Sequence, residues 1–198
     1  MKPLNRIVVL TLMVTLSLFG LAQAGTSPKT AIYKAEQALA VNPQDAKAFY
    51  NRGSAYLQMD NFDEAIKDLT QTIALEPKQP DAYFNRGMAN RLQKKDKEAI
   101  EDYSKAIELA PDVWTYYYER CNARIVTGDM DGAIADGTQL VRLSPKDPDN
   151  YFMRGLAAHL KGDETTALAD ADKALEIKNW HKGALKLKAE IQEKKAAH

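Results

Sequence analysis

The apolar and polar positions of the chain repeat every 34 residues over most of its length. Small residues recur at one position of this period and alanine at another: Gly53, Gly87, Cys121 and Gly155, then Ala65, Ala99, Ala133 and Ala167. Pro77, Pro111 and Pro145 follow at the same interval, with Asn179 at the fourth place. A period of this length, with small residues and a closing proline, predicts stacked helical hairpins, each made of two helices of about 13 residues.

The repeat register predicts how the chain is divided. Four full units begin at Ala46, Pro80, Trp114 and Pro148, and they comprise residues 46–79, 80–113, 114–147 and 148–181. Residues 25–45 are expected to contain a lead-in and a single helix from about Thr30 to Ala40, which ends before Pro43 because proline cannot continue a helix. Residues 182–198 are amphipathic but largely charged, which predicts a terminal helix that caps the stack.

The sequence of the units resembles that of tetratricopeptide repeats. The resemblance is strongest in DAKAFYNRGSAY with DEAIKDLTQTIALEP and in PDAYFNRGMAN with KEAIEDYSKAIELAP, and looser in the third and fourth units. It implies an all-α fold, a right-handed superhelical solenoid of tandem helix-turn-helix units with a C-terminal capping helix. It also implies a protein that binds other proteins and has no catalytic activity of its own.

The first 24 residues have the pattern of an export signal. Lys2 and Arg6 precede an apolar run over residues 7–21, and Ala22-Gln23-Ala24 then offers a small-x-small cleavage site. We therefore expect cleavage after Ala24 and a mature protein that is periplasmic or secreted. The alternative is an uncleaved signal that anchors the protein in the inner membrane.

Charge and composition exclude several function classes. The formal net charge is zero, so nothing indicates binding to nucleic acid or to an anionic membrane. Cys121 is the only cysteine, and its place in the register indicates a small buried residue at a helix crossing, although a reactive thiol stays open. His159, His181 and His198 are not spaced as metal ligands. We expect no enzyme activity, no cofactor, no metal and no small-molecule substrate.

Two charged series recur with the repeat. They are Arg52, Arg86, Arg120 and Arg154 in the first helices, and Asp68, Asp102, Asp136 and Asp170 in the second helices. An arginine can donate two parallel hydrogen bonds to a carboxylate, so the two series are interpreted as a structural ladder of ion pairs. Whether each arginine meets the aspartate of its own unit or that of the preceding one stays open at this point.

The resemblance places the first helices on the inner, concave surface, which is the candidate binding site. The predicted contact residues are Tyr50, Asn51, Ser54, Phe84, Asn85, Met88, Tyr118, Glu119, Asn122, Phe152, Met153 and Leu156. An extended peptide would place apolar side chains between the aromatic residues while the asparagines bind its backbone amides. The alternative is that part of the aromatic row packs between adjacent helices.

These observations favour a protein-interaction scaffold of the cell envelope that binds a peptide or a segment of an envelope protein. Three other classes stay open: a periplasmic chaperone or assembly factor, which would bind many clients weakly, a self-assembling structural protein that forms homo-oligomers, and a regulator of an envelope enzyme such as a cell-wall hydrolase.

Overall fold

A computed structural model describes residues 27–196, and every regular element in that range is an α-helix. The helices are α1 (Pro28–Val41), α2 (Ala46–Gln58), α3 (Phe62–Leu75), α4 (Pro80–Leu92), α5 (Asp96–Leu109), α6 (Trp114–Thr127), α7 (Met130–Leu143), α8 (Pro148–Lys161), α9 (Glu164–Ile177) and α10 (Lys182–Ala196). The first helices of the hairpins thus begin at Ala46, Pro80, Trp114 and Pro148, the residues at which the repeat register places the units.

The turn inside each hairpin has a repeated backbone conformation. One residue in each turn has a positive φ, and these residues are spaced by 34: Asp60, Lys94, Gly128 and Gly162. The last two are glycines, which adopt this conformation without steric cost. The second helix then begins with a cap in the last two hairpins, where the Asp129 and Asp163 carboxylates accept hydrogen bonds from the backbone N–H groups of Gly132 and Thr166.

The helices form two compact units, residues 27–75 and residues 76–196. In the first unit, α2 packs against both α1 and α3, and Ala35, Ala55 and Leu69 are buried. In the second unit, helices that follow one another along the chain from α4 to α10 pack against each other. One cluster of the second unit's core joins Phe84, Ala99, Tyr103, Ala106, Tyr116 and Ala123.

The small residues of the repeat lie where the two helices of a hairpin cross. A Cβ atom added at Gly87 would lie 2.7 Å from the Tyr103 ring, and one added at Gly53 would lie 3.0 Å from the Leu69 side chain. Cys121 occupies the corresponding place in the third hairpin and is fully buried. A larger side chain at this position would push the two helices apart.

Helix α10 occupies the position of a further first helix, since Lys182 lies 34 residues after Pro148. It packs against α9 through a face on which Ala184, Leu187 and Ile191 are buried. Its Lys188 stands where the preceding first helices have arginine, and its ammonium group lies 2.6 Å from the Asp172 carboxylate of α9. The charge of Lys188 is therefore compensated by the helix that precedes α10.

The expected all-α fold of tandem helix-turn-helix units is confirmed. The single helix before the first hairpin extends over Pro28–Val41, slightly longer than expected, and the last helix covers Lys182–Ala196. None of the helices in residues 27–196 is both long enough and apolar enough to cross a membrane. The predicted signal peptide, residues 1–24, lies outside the described residues.

Candidate functional site

The arginine and aspartate series form four ion pairs, each inside its own hairpin. The pairs are Arg52–Asp68, Arg86–Asp102, Arg120–Asp136 and Arg154–Asp170. Each guanidinium donates two hydrogen bonds of 2.6–3.0 Å, one from Nε and one from Nη2, to the two carboxylate oxygens. This geometry answers the question left open by the sequence, because no arginine of the series needs the aspartate of the preceding unit.

Each arginine of the ladder also lies over an aromatic ring three residues before it. The guanidinium carbon is 5.7–6.0 Å from the ring centroid at Phe49, Tyr83, Tyr117 and Tyr151. The aspartates are buried, whereas the arginine side chains keep part of their surface in contact with solvent. A carboxylate that is held by two hydrogen bonds in a helix crossing stabilises the hairpin and is not available to a ligand.

The aromatic row predicted to contact a peptide is divided between the core and the surface. Phe84 is 2% exposed and packs against Tyr103 and Tyr116, with ring centroids 5.7 and 4.8 Å away. Phe152 is 5% exposed, and its ring centroid lies 5.2 Å from that of His181. Tyr50, in the first unit, and Tyr118, in the second, are half-buried. The row thus has two members that pack between helices, as in the alternative interpretation, and two that reach the surface.

The second predicted row holds a buried ion pair. Glu119 of α6 is 3% exposed, and its carboxylate lies 3.0 Å from the guanidinium of Arg91 on α4, which is also buried. Burial raises the pKa of Glu119, and the neighbouring Arg91 opposes that rise. Asn85 and Met153 are buried in the same row, whereas Asn51 is half-buried. Glu119 therefore joins two first helices, a role that the repeat pattern did not indicate because Arg91 and Glu119 each occur in one unit only.

The remaining predicted contacts lie nearer the surface. Ser54 in the first unit, and Met88 and Asn122 in the second, are half-buried, whereas Leu156 is buried. Six of the twelve predicted contact residues are therefore buried in the free chain: Phe84, Asn85, Glu119, Phe152, Met153 and Leu156. That the other six contact a peptide stays a prediction.

Trp114 is an exposed aromatic residue of the first-helix face that the sequence treated only as a unit boundary. It opens α6, its side chain is 42% exposed, and its ring meets the Tyr118 ring edge-on at 6.2 Å. Val126, about two turns beyond Tyr118 near the C-terminal end of the same helix, is 53% exposed. The other units have alanine or proline at the position of Trp114. A large aromatic residue at this position was therefore the signal in the sequence that α6 differs from the other first helices.

Burial and local contacts also account for the cysteine and two histidines. Burial raises the pKa of the Cys121 thiol to about 12, and Cys121 Sγ donates to the backbone carbonyl of Ala133. His159 lies 2.7 Å from the Glu164 carboxylate. His181 precedes α10, and its Nδ1 accepts the backbone N–H of Ala184. In residues 27–196 no group of three or more His, Cys, Asp and Glu side chains is placed to hold a metal ion.

Comparison with known families supports the pattern of helices. The sequence model of the tetratricopeptide repeat matches residues 50–113, 98–148 and 118–180, which together span more than half of the chain. The chain belongs to the tetratricopeptide repeat family. No curated protein matches it significantly.

Several solved structures of tetratricopeptide repeat proteins share this fold. A MamA protein is 25% identical with a TM-score of 0.72, and the match covers 77% of this chain and 83% of MamA. YrrB, described as a tetratricopeptide repeat protein with an unusual peptide-binding site, is 21% identical with a TM-score of 0.75, covering 82% of this chain and 84% of YrrB. MamA from Desulfovibrio magneticus RS-1 is 20% identical with a TM-score of 0.72, covering 79% and 88% of the two chains.

Proposed function

We propose that this tetratricopeptide repeat protein is a non-enzymatic scaffold that binds an extended segment of a partner protein on the first helices of its second unit. The observation that carries the proposal is the accessible apolar surface of α6, where Trp114 and Val126 are exposed while most apolar side chains are buried between helices. Half-buried Met88, Leu92 and Leu160 belong to the neighbouring first helices α4 and α8. Exposed apolar surface of this kind marks sites of protein interaction.

Asn122 gives this surface a polar group for the backbone of a bound segment. It is half-buried, lies one turn beyond Tyr118 on α6, and can both donate and accept hydrogen bonds through its amide. An extended peptide exposes unpaired backbone amides, which such a side chain satisfies. The peptide-binding site named for YrrB is consistent with this use of the fold, although its 21% identity carries the fold alone.

In vivo crosslinking tests the proposal. A photoreactive residue in place of Asn122 samples the first-helix face, and one in place of Glu101, an exposed residue of the second helix α5, serves as the matched control. We expect an abundant adduct from position 122 and none from position 101. Adducts from position 101 alone would refute the proposed surface, and many faint adducts from position 122 would indicate a chaperone in place of a selective scaffold.

We further propose that the scaffold acts in the cell envelope, after export and cleavage of the chain after Ala24. The support is the order of basic residues, apolar run and small-x-small site in residues 1–24. Fractionation of cells and N-terminal sequencing test it. A mature chain that starts at Gly25 in the periplasm or medium is expected. Retention of Met1 in the membrane fraction would favour the uncleaved anchor, and retention in the cytoplasm would refute export.

Self-assembly is a second candidate, favoured by apolar side chains on the surface of α1. Tyr33 and Val41 are 62% and 87% exposed there. Light scattering over a range of concentrations tests whether a second copy covers them. A mass that rises with concentration in the native chain, and not in a Tyr33→Ser/Val41→Ser variant, would support self-assembly. A constant monomer mass would exclude it.

A further inference from the structure

The first two turns of α4, α6 and α8 carry two exposed carboxylates and an aromatic pair, one ring of which is exposed and the other half-buried. The aromatic pair is Trp114 and Tyr118, whose rings are nearly perpendicular, with an interplanar angle of 76°. Asp81 and Asp149 are the second residues of α4 and α8, and both are exposed. Aspartate is favoured in the first turn of a helix by the helix dipole, so their position alone has a structural reason.

The hydrogen-bond partner of Asp81 carries no charge. The Tyr116 hydroxyl donates to its Oδ1 at 2.6 Å, which links α6 to α4. A phenol hydroxyl is neutral at physiological pH, so this contact orients the carboxylate without compensating its charge.

The partner of Asp149 is neutral as well, because of the contacts of His181. Nδ1 of His181 accepts the backbone N–H of Ala184 at 2.9 Å, so this nitrogen has no proton. The ring proton is then on Nε2, which donates to Asp149 Oδ1 at 2.8 Å. A neutral imidazole leaves the carboxylate with its full negative charge.

Side-chain electrostatics connect Asp149 to the aromatic pair. Burial raises the pKa of the Tyr118 phenol to about 12, and the carboxylates of Glu119 and Asp149 add to that rise. Asp149 is therefore close enough to α6 to act on Tyr118. The charge of Glu119 is compensated by Arg91, 3.0 Å away. Glu119 therefore adds less negative charge to this surface than Asp81 and Asp149 do.

We propose that the segment bound by the first-helix face carries a lysine or arginine beside apolar residues, and that its cation lies on Trp114 and Tyr118 between the carboxylates of Asp81 and Asp149. This inference rests on the proposed function of that face. Aromatic faces attract cations, and uncompensated carboxylates add charge complementarity. The apolar residues of the segment follow α6 toward Val126.

Selection from a random peptide library tests this inference separately from the proposed function. The probe is a phage-displayed library of about 12-residue peptides, long enough for a segment with a central cation and apolar neighbours on both sides, and the bait is the full chain. Enrichment of lysine or arginine flanked by Leu, Ile, Val or Phe is the expected result. Enrichment of uncharged apolar peptides would overturn the inference and leave the proposed function standing, as would enrichment of acidic peptides. If the native chain enriches no peptide more strongly than a Trp114→Ala bait does, both the inference and the proposed function are overturned.

Fluorescence anisotropy then locates the cation. The enriched peptide and a version with its basic residue changed to glutamine are titrated into the native chain and into Asp81→Asn, Asp149→Asn and, as a control, Glu101→Gln. We expect each aspartate change to weaken the basic peptide about three- to fivefold, the range of an accessible ion pair, and to leave the glutamine peptide unaffected. Equal weakening of both peptides, or equal weakening by Glu101→Gln, would overturn the inference.

Discussion

The ion pair of the fourth hairpin offers a test of what holds the repeats together. Arg154 and Asp170 make two hydrogen bonds of 2.8 and 2.7 Å, and their side chains are 24% and 5% exposed. We consider three variants: Arg154→Met, Asp170→Leu and the double change. Their effects differ because the two charges have unequal access to water.

The structure predicts that loss of the arginine costs more than loss of the aspartate. When Asp170 is removed, Arg154 can turn its partly exposed guanidinium into solvent, and we expect a cost of about 2 kcal/mol. When Arg154 is removed, the carboxylate stays trapped: its Cβ lies only 3.0 Å from the place where a Cβ on Gly155 would be. An unpaired buried carboxylate costs about 3–5 kcal/mol. The double change leaves no buried charge and should cost less than Arg154→Met alone.

Urea unfolding followed by tryptophan fluorescence is the suitable assay, because both tryptophans, Trp114 and Trp180, belong to the second unit. Lys173→Met, which removes an exposed ion pair of α9, is the matched control and should leave the urea midpoint unchanged. The reasoning is refuted if Arg154→Met costs no more than Asp170→Leu, or if the double change costs as much as Arg154→Met.

Further predictions concern three buried positions of the second unit. A Cβ at Gly137 would lie 2.8 Å from the Cβ and 3.0 Å from the Cα of Arg154. Gly137→Ala should therefore lower the urea midpoint, with a net loss of stability of about 1–2 kcal/mol despite the better helix propensity of alanine. A higher midpoint would show that α7 and α8 leave room for the added methyl group. Because burial raises the pKa of Cys121 to about 12, a thiol reagent should not label the folded chain at pH 8, and labelling without unfolding would contradict this burial. From about pH 9 upward the folded state holds the thiol proton longer than the unfolded state, so the native chain should lose up to about 1.4 kcal/mol per pH unit relative to Cys121→Ala. The buried Tyr103 hydroxyl lies beside Arg91 but makes no hydrogen bond of ordinary geometry to the described residues. Tyr103→Phe should therefore leave the stability measured by thermal unfolding unchanged or raise it. A loss of stability above about 1 kcal/mol would show that the hydroxyl does make such a bond.

The positions of the helices followed from the sequence because each repeat specifies the same local structure. A small residue at Gly87 and an alanine at Ala99 are required wherever two helices cross closely, so their spacing fixes the hairpins. The pairing of the ladder did not follow, since an interval of 34 is the same whether an arginine contacts its own unit or the preceding one. Side-chain contacts within one hairpin decide it.

The repeat pattern also did not predict how deeply each side chain is buried. Phe84 and Tyr118 occupy equivalent places, yet the first is buried because Tyr103 and Tyr116 cover it, and the second is half-buried beside Trp114. Register places a residue on a face, but the size of its neighbours sets its exposure. Pairs such as Arg91 and Glu119, which occur once, give no periodic signal at all.

The closure of every ladder pair inside one hairpin has a consequence for how such a chain changes length during evolution. A duplication or deletion of 34 residues carries an arginine together with its own aspartate, so neither event separates a buried carboxylate from its cation. The terminal Lys188, whose partner Asp172 lies in the preceding helix, moves with the end of the array in the same way. Copy number is thus free to vary by unequal recombination, while the surface of each first helix diverges toward its own binding partner.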